Sequence, residues 1–319
     1  SFVSEAPSFD AYVRGPDGDV YEVSMPAQVA AEYDAKYERE VVAPAAEAAP
    51  GGAPTQFGQP GAPVDPQNVS GDGNGGKKQI FGSDGRVPWL NYMSAGPHAT
   101  VVQIVSQDPN EISGCSGTLV APNFVITAAH CIVNDGEWAP QGRQVCLRGG
   151  WGGCANIEWD TVPSAWLQND SISNDYGLLR IDAPLGANNN TVVMSIHTGN
   201  YLKSLVHYNI GYPGAHPNGD SNLTWFTALQ RMIQMPYGQT FYPWKVSSTL
   251  LKTKADVSSG MSGGPMYYLI NGRPFQTGIM VALLDYDGSW FGNPTTDDYN
   301  GGPLIAPIRY WYSTWMYGG

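Results

Sequence analysis

The chain has 319 residues, 42% hydrophobic and only 14% charged, with a net charge of −12. That length and apolar share can build a sizeable core and argue against a disordered chain. The negative balance argues against nucleic acid or an anionic membrane as partner, and no apolar run reaches the roughly 18–20 residues of a membrane span. With 39 glycines, 25 prolines, 18 tyrosines and 10 tryptophans, the composition favours short strands and many turns over a helical bundle.

In chain order, residues 1–43 are of mixed character, and Ala27–Glu40 is rich in helix formers, which predicts one amphipathic helix. Residues 44–78 shift to Ala, Pro, Gly, Gln and Asn, the composition of a flexible linker. It ends at Lys77-Lys78, an open proteolytic target, so residues 1–43 read as a pro-segment removed by processing near Lys78, with a permanent flexible arm as the alternative. From residue 79 onward, strands are predicted at Ala99–Val105, Ser116–Val120, Asn123–Thr127, Gln144–Leu147, Gly177–Ile181, Leu205–Ile210, Val246–Leu251, Gly264–Ile270 and Gln276–Leu284. So many short strands at close spacing indicate an all-β barrel or sandwich. The end differs: Ile305, Ile308, Tyr312 and Trp315 recur at helical spacing and predict a C-terminal helix.

The four cysteines are Cys115, Cys131, Cys146 and Cys154, which allow three pairings. No Cys-x-x-Cys pair and no His-rich neighbour marks a zinc site, so no metal and no cofactor is expected. Local spacing favours Cys115–Cys131 and Cys146–Cys154. Closing the first loop is worth about 3 kcal/mol in the chain-entropy account. Disulfides imply an oxidising compartment, hence secretion or the periplasm. His197, His207 and His216 are scattered and read as structural or surface groups. Asp285-Tyr286-Asp287-Gly288 with Asp297-Asp298 lacks the full calcium-loop pattern and reads as solvated turns.

Three segments carry chemistry. In Ser259-Gly260-Met261-Ser262-Gly263-Gly264-Pro265, glycines flank a serine, which opens its approach and frees backbone N–H groups to face an oxyanion. In Thr127-Ala128-Ala129-His130-Cys131, a histidine follows a predicted strand and adjoins a cysteine staple, so its position as a base is fixed. In Asn174-Asp175-Tyr176-Gly177-Leu178-Leu179, one acid directly precedes an apolar run; burying it requires a hydrogen-bonding partner such as a histidine. Asp170 competes for that role from a polar, solvated stretch. The letters Gly260-Met261-Ser262-Gly263-Gly264 also match the α/β-hydrolase elbow, but the order His, Asp, Ser and the strand after the serine exclude that reading.

In this order, the three segments resemble the trypsin/chymotrypsin superfamily of serine proteases. Within it, Ile80-Phe81-Gly82-Ser83-Asp84-Gly85-Arg86 and Gly211-Tyr212-Pro213-Gly214 resemble the branch containing the bacterial glutamyl endopeptidases. The resemblance covers residues 80–319 and implies two six-stranded antiparallel β-barrels with the site in the cleft between them. It implies a triad of His130, Asp175 and Ser262, an oxyanion hole from the N–H groups of Gly260 and Ser262, and a monomeric endopeptidase acting on protein or peptide substrates. A catalytically silent binding module of the same fold is the alternative.

Three departures bear on specificity and activation. Met261 stands where the trypsin-like branch has an acid for the freed N-terminal ammonium. Asp256, six residues before the serine, matches either a pocket floor for basic side chains or a structural acid. Met280, with Val281 and Ala282, stands where Glu-specific relatives carry a histidine, which argues against Glu specificity.

Overall fold

The computed structural model describes residues 8–44, 78–79, 85–88, 97–105, 114–147, 153–185, 191–213, 224–226, 232–234, 236–284 and 299–318. In the N-terminal segment these form β1 (Ser8–Arg14), β2 (Val20–Pro26) and α1 (Ala27–Tyr37). Next come β3 (Val101–Val105), β4 (Cys115–Ala121), β5 (Phe124–Thr127), β6 (Gln144–Leu147), β7 (Cys154–Pro163) and β8 (Gly177–Ile181). The second half contains β9 (Val193–Met194), β10 (His207–Gly211), β11 (Tyr237–Phe241), β12 (Leu250–Thr253) and β13 (Pro265–Ile270). It ends with β14 (Arg273–Ile279), β15 (Ala282–Leu284), β16 (Tyr299–Pro303) and α2 (Ile305–Gly318).

Strands β6-β3-β4-β5-β8-β7 pair in that order, and β6 also pairs with β7, which closes a six-stranded antiparallel barrel. Val102, Ile104, Leu119, Val125 and Leu179 share one buried face of this sheet, and Ile126 and Leu178 are buried on the other. Beyond β7 the sheet gains two further strands: β1 pairs with it from Ala11↔Pro163 to Arg14↔Asp160, and β2 pairs with β1. In the second half, the order is β9-β14-β13-β10-β11 with Val87–Pro88 at the edge, while β12-β16-β15 forms another sheet. An isolated bridge, Gly278↔Leu304, joins the two. One apolar cluster runs from the first barrel through the second half to α2.

Two predicted strands divide. Between Val246 and Leu250 the Ser247 hydroxyl accepts the N–H groups of Thr249 (3.2 Å) and Leu250 (2.8 Å), a local turn that competes with the ladder. Between Ile279 and Ala282 the chain changes partners: Met280 N–H donates to Gly264 O (2.8 Å) and Val281 N–H to Gly301 O (3.1 Å). The helix predicted at Ala27–Glu40 forms as α1, prolonged by a π turn over Glu38–Val42. In α2, Ile305, Tyr312 and Trp315 are buried as predicted, but Arg309 is buried where Ile308 is only half-buried, because Arg309 pairs with Asp34 of α1. Both expected disulfides form, Cys115–Cys131 with Cα atoms 6.1 Å apart and Cys146–Cys154 with 4.1 Å. No helix among the described residues is long and apolar enough to cross a membrane.

Candidate active site

Strands β5 and β8 pair antiparallel through Gly177↔Thr127, so the segment leaving β5 and the segment entering β8 lie side by side. The first carries His130, on the short 3₁₀ turn Ala129–Cys131; the second carries Asp175, just after the 3₁₀ turn Ile172–Asn174. His130 donates its backbone N–H to Asp175 Oδ1 (2.9 Å), and its Nδ1 lies 2.7 Å from Oδ2. Both carboxylate oxygens are thus engaged by one residue, and Asp175 is fully buried. An Nδ1–H donor leaves Nε2 as the free lone pair on the outer side of the ring.

Other contacts lock this pair. Cys131 is tied to Cys115 at the start of β4, and Arg143 Nη1 donates to Cys131 O (2.7 Å). Behind Asp175, Tyr176 packs edge-on against Trp311 of α2, ring centroids 5.1 Å apart. Burial lowers the His130 pKa, but the charge and hydrogen bond of Asp175 outweigh it, and the net shift is upward from 6.5. Asp170, the competing acid, is exposed at the left-handed end of the short helix Ser164–Asn169 and touches neither residue by hydrogen bond.

Ser262 sits on the turn between Val257–Ser258 and β13. Gly260 and Gly263 flank it with φ of 93° and 84°, in the region that favours glycine. A Cβ on Gly263 would lie 2.2 Å from Ser116 O and 2.2 Å from Thr127 Oγ1, so the turn is pressed directly onto the His130 segment. Ser262 O accepts Ser116 N–H (2.7 Å), and the Cys131 sulfur lies 3.7 Å from the same oxygen. The Ser262 hydroxyl contacts Val281 O at 3.5 Å, the outer limit of a hydrogen bond, rather than His130. The N–H groups of Met261, Gly263 and Gly264 are all used, on Ser258 O (3.1 Å), Met280 O (2.6 Å) and Met261 O (3.0 Å). Those of Gly260 and Ser262 have no intramolecular acceptor among the described residues.

Sequence reasoning missed Ser116. Fully buried on β4, it donates Oγ–H to Gly260 O (2.8 Å) and accepts Tyr212 N–H (2.8 Å), so one hydroxyl joins the serine turn to the Gly211-Tyr212 turn. Only its place next to Cys115 marks it in the sequence, and its partners lie 96 and 144 residues away.

Around the serine turn, Asp256 is 1% exposed; its Oδ2 accepts Gly85 N–H (2.7 Å) and its own N–H donates to Gln239 Oε1 (2.7 Å). The carboxylate therefore anchors the 85–88 segment. Arg86 Nη1 lies 2.5 Å from Ser258 Oγ and 3.5 Å from the sulfur of buried Met261. Lys78–Gln79 pairs antiparallel with Val257–Ser258, so the predicted processing point lies against the strand that leads into Ser262. Met280 and Val281 are buried beside the turn, while the Ala282 side chain is outside the described residues. Also outside them are residues 45–77, Gly214, His216 and the acidic stretch 285–298.

His207 is fully buried between Phe241 and Tyr268, and burial pushes it down to about 4. His197 Nδ1 lies 2.5 Å from Tyr268 Oη. Among the described residues, the one cluster of possible metal ligands is Cys115, His130 and Cys131, but the two sulfurs form a disulfide, and a disulfide is no thiolate ligand.

With this geometry the relatives can be compared. Glutamyl endopeptidase of Bacillus licheniformis is 26% identical over 234 residues, 72% of this chain and 66% of the relative. Serine protease 23 of Mus musculus is 27% identical over 269 residues, 73% of this chain and 63% of the relative. The chain thus spans somewhat under two thirds of the length of these relatives. The solved structure of a Glu endopeptidase in complex with MPD superposes with a TM-score of 0.58 at 21% identity, covering 73% of this chain and 97% of that one, which establishes the chymotrypsin-like fold. The model of the trypsin family matches residues 91–288, a span that holds His130, Asp175 and Ser262 and exceeds half of the chain; the chain belongs to the trypsin family.

Proposed function

We propose that the protein is a secreted serine endopeptidase that hydrolyses peptide bonds through His130, Asp175 and Ser262. The observation that carries this reading is the doubly bonded His130–Asp175 pair, with its acid fully buried and the serine turn packed against its backbone. Ser262 Oγ turns from Val281 O toward His130 Nε2 and gives up its proton as it attacks the scissile carbonyl. Asp175 keeps the proton on Nδ1 and stabilises the imidazolium. The free N–H groups of Gly260 and Ser262 receive the oxyanion, where each donor is worth about 10²–10³ in turnover. The imidazolium then protonates the leaving amine, and water, deprotonated by the same nitrogen, releases the acyl group from Ser262.

The two disulfides suit an oxidising compartment, and a precursor cut in or near the 44–78 linker fits the lysine pair at its end. Because Asp256 serves Gly85, and Met280 and Val281 line the turn, the side chain preferred before the cut is apolar. Digestion of a mixed peptide library tests the proposal. Cleavage after apolar residues is expected from the parent chain and none from Ser262→Ala. Cleavage that survives the substitution rejects the triad, and cleavage confined to Arg or Lys rejects the pocket.

The pH profile gives a separate check. His130 must be neutral to accept the proton, and its pKa is raised above 6.5. The acid limb of kcat/KM is therefore expected above pH 6.5, with activity rising through it as pH increases. The linked stability runs the other way: what His130–Asp175 adds as an ion pair is fully present below 6.5 and fades as pH rises through the folded-state pKa. A limb below 6.5 contradicts the upward shift that Asp175 gives His130.

A further inference from the structure

We infer that residues 8–44 are a permanent structural arm of the protein, which stays docked as a separate chain after the linker is cut. The sequence presents this segment as something to remove, but its contacts are those of a core element. Along β1, Ala11, Tyr12, Val13 and Arg14 continue the barrel sheet at Pro163, Val162, Thr161 and Asp160, so the arm covers the outer edge of β7. Arg14, 6% exposed, donates Nε to Asp160 Oδ2 (2.9 Å) and Nη1 to Ala139 O (2.6 Å), while Arg143 holds the other oxygen of Asp160 (3.0 Å).

Helix α1 makes a second, independent attachment. Asp34, 3% exposed, takes Arg309 of α2 in a two-point ion pair, Nε to Oδ1 at 2.7 Å and Nη2 to Oδ2 at 2.6 Å. Tyr37, 1% exposed, accepts the Met194 N–H on its hydroxyl (2.8 Å), and Ala30 is fully buried. Tyr33 stacks on Tyr317.

The arm therefore grips the first barrel, the second half and the C-terminal helix together. Its attachment points are Ala139, Asp160–Pro163, Met194 and α2, not the serine turn or Met280–Val281, so docking leaves the candidate site uncovered. The surface it occupies pairs an open β edge with the buried Arg309 and the Tyr317 ring. That chemistry fits an extended-then-helical peptide with an acid on the helix, and this chain supplies one. After a cut, the entropy gained on release is opposed by the contacts that must open together, the β ladder and both ion pairs.

The test inserts a recognition sequence for a site-specific protease between Gly51 and Gly75, cuts the purified protein to completion, and passes it over a sizing column. The N-terminal fragment is expected to co-elute one-to-one with the body in native buffer and to separate only in concentrated guanidinium chloride. Amide exchange at Ala11–Arg14 is expected to stay protected after the cut. Asp34→Ala is expected to speed release of the cut fragment by about 100-fold, the scale of removing one partner of a buried pair. A parent fragment that leaves the body in native buffer, or loses its protection on cutting, overturns the inference, whether or not the variant folds. A release rate unchanged by Asp34→Ala overturns the role given to the helix attachment.

Discussion

Asp175→Asn is expected to lower kcat for peptide hydrolysis by about 10⁴-fold while leaving KM within a few-fold. Both bonds that reach Asp175 come from donors on His130, the backbone N–H and the ring Nδ1. A carboxylate accepts both; an amide has one oxygen to offer and turns its NH₂ toward the other donor. The imidazole then gains by placing its proton on Nε2, the tautomer that cannot take a proton from Ser262. The pH profile should move with the rate. The upward shift of His130 comes from the Asp175 charge and hydrogen bond, so without them burial alone acts and the acid limb moves down. The substitution conserves shape, so the melting temperature should change little beside the loss in rate. Asp170→Asn, at an exposed position outside the pair, is the control and should retain full activity. A loss in Asp175→Asn of less than about 10-fold, or a limb that stays put, removes Asp175 from the mechanism.

Gly263→Ala should be the most destabilising single-methyl change in the serine turn, at about 3–5 kcal/mol. Its φ of 84° already disfavours a side chain, and the added Cβ would meet Ser116 O at 2.2 Å, a backbone atom within the barrel ladder that cannot swing away. Gly272 separates the two effects. It has a similar φ of 79° but nothing within 4 Å of the added carbon, so Gly272→Ala should cost only about 1 kcal/mol. Denaturant midpoints of the two variants measure the difference, provided both unfold with similar slopes. Equal losses would mean that the turn does not press on β4 and that the serine reaches the cleft some other way.

Much of the site was legible because it depends on local chemistry. Glycines around Ser262, an acid before Leu178-Leu179 and a histidine between a strand and a cysteine each state a local requirement for positive φ, a buried charge or a fixed base. The strands at Gln144–Leu147 and Gly177–Ile181 match the prediction residue for residue because β-branched and leucine runs there end at polar or glycine signals. Strand β16, Tyr299–Pro303, was not legible. It contains two glycines, and it is a strand because Leu251 O and Ile279 O approach too closely for any Cβ at Gly301 or Gly302. The hairpin β1–β2 was missed although Gly15-Pro16-Asp17-Gly18 is a turn signal, because its value lies in an edge on β7 that the sequence does not display.

By itself, then, the sequence determined the disulfide pairs, the all-β class and the closing helix, and it marked the candidate residues of the site, since propensity, periodicity and loop length act over a few residues. Only the tertiary structure decided which partners those residues meet. Asp256 accepts Gly85 across 171 positions, Ser116 joins turns 96 and 144 residues away, and Asp34 finds Arg309 across 275. Those pairings follow from barrel closure and helix docking, which set distances by packing rather than by separation along the chain. They make Asp256 the anchor of the 85–88 segment and add β1 to the outer edge of β7.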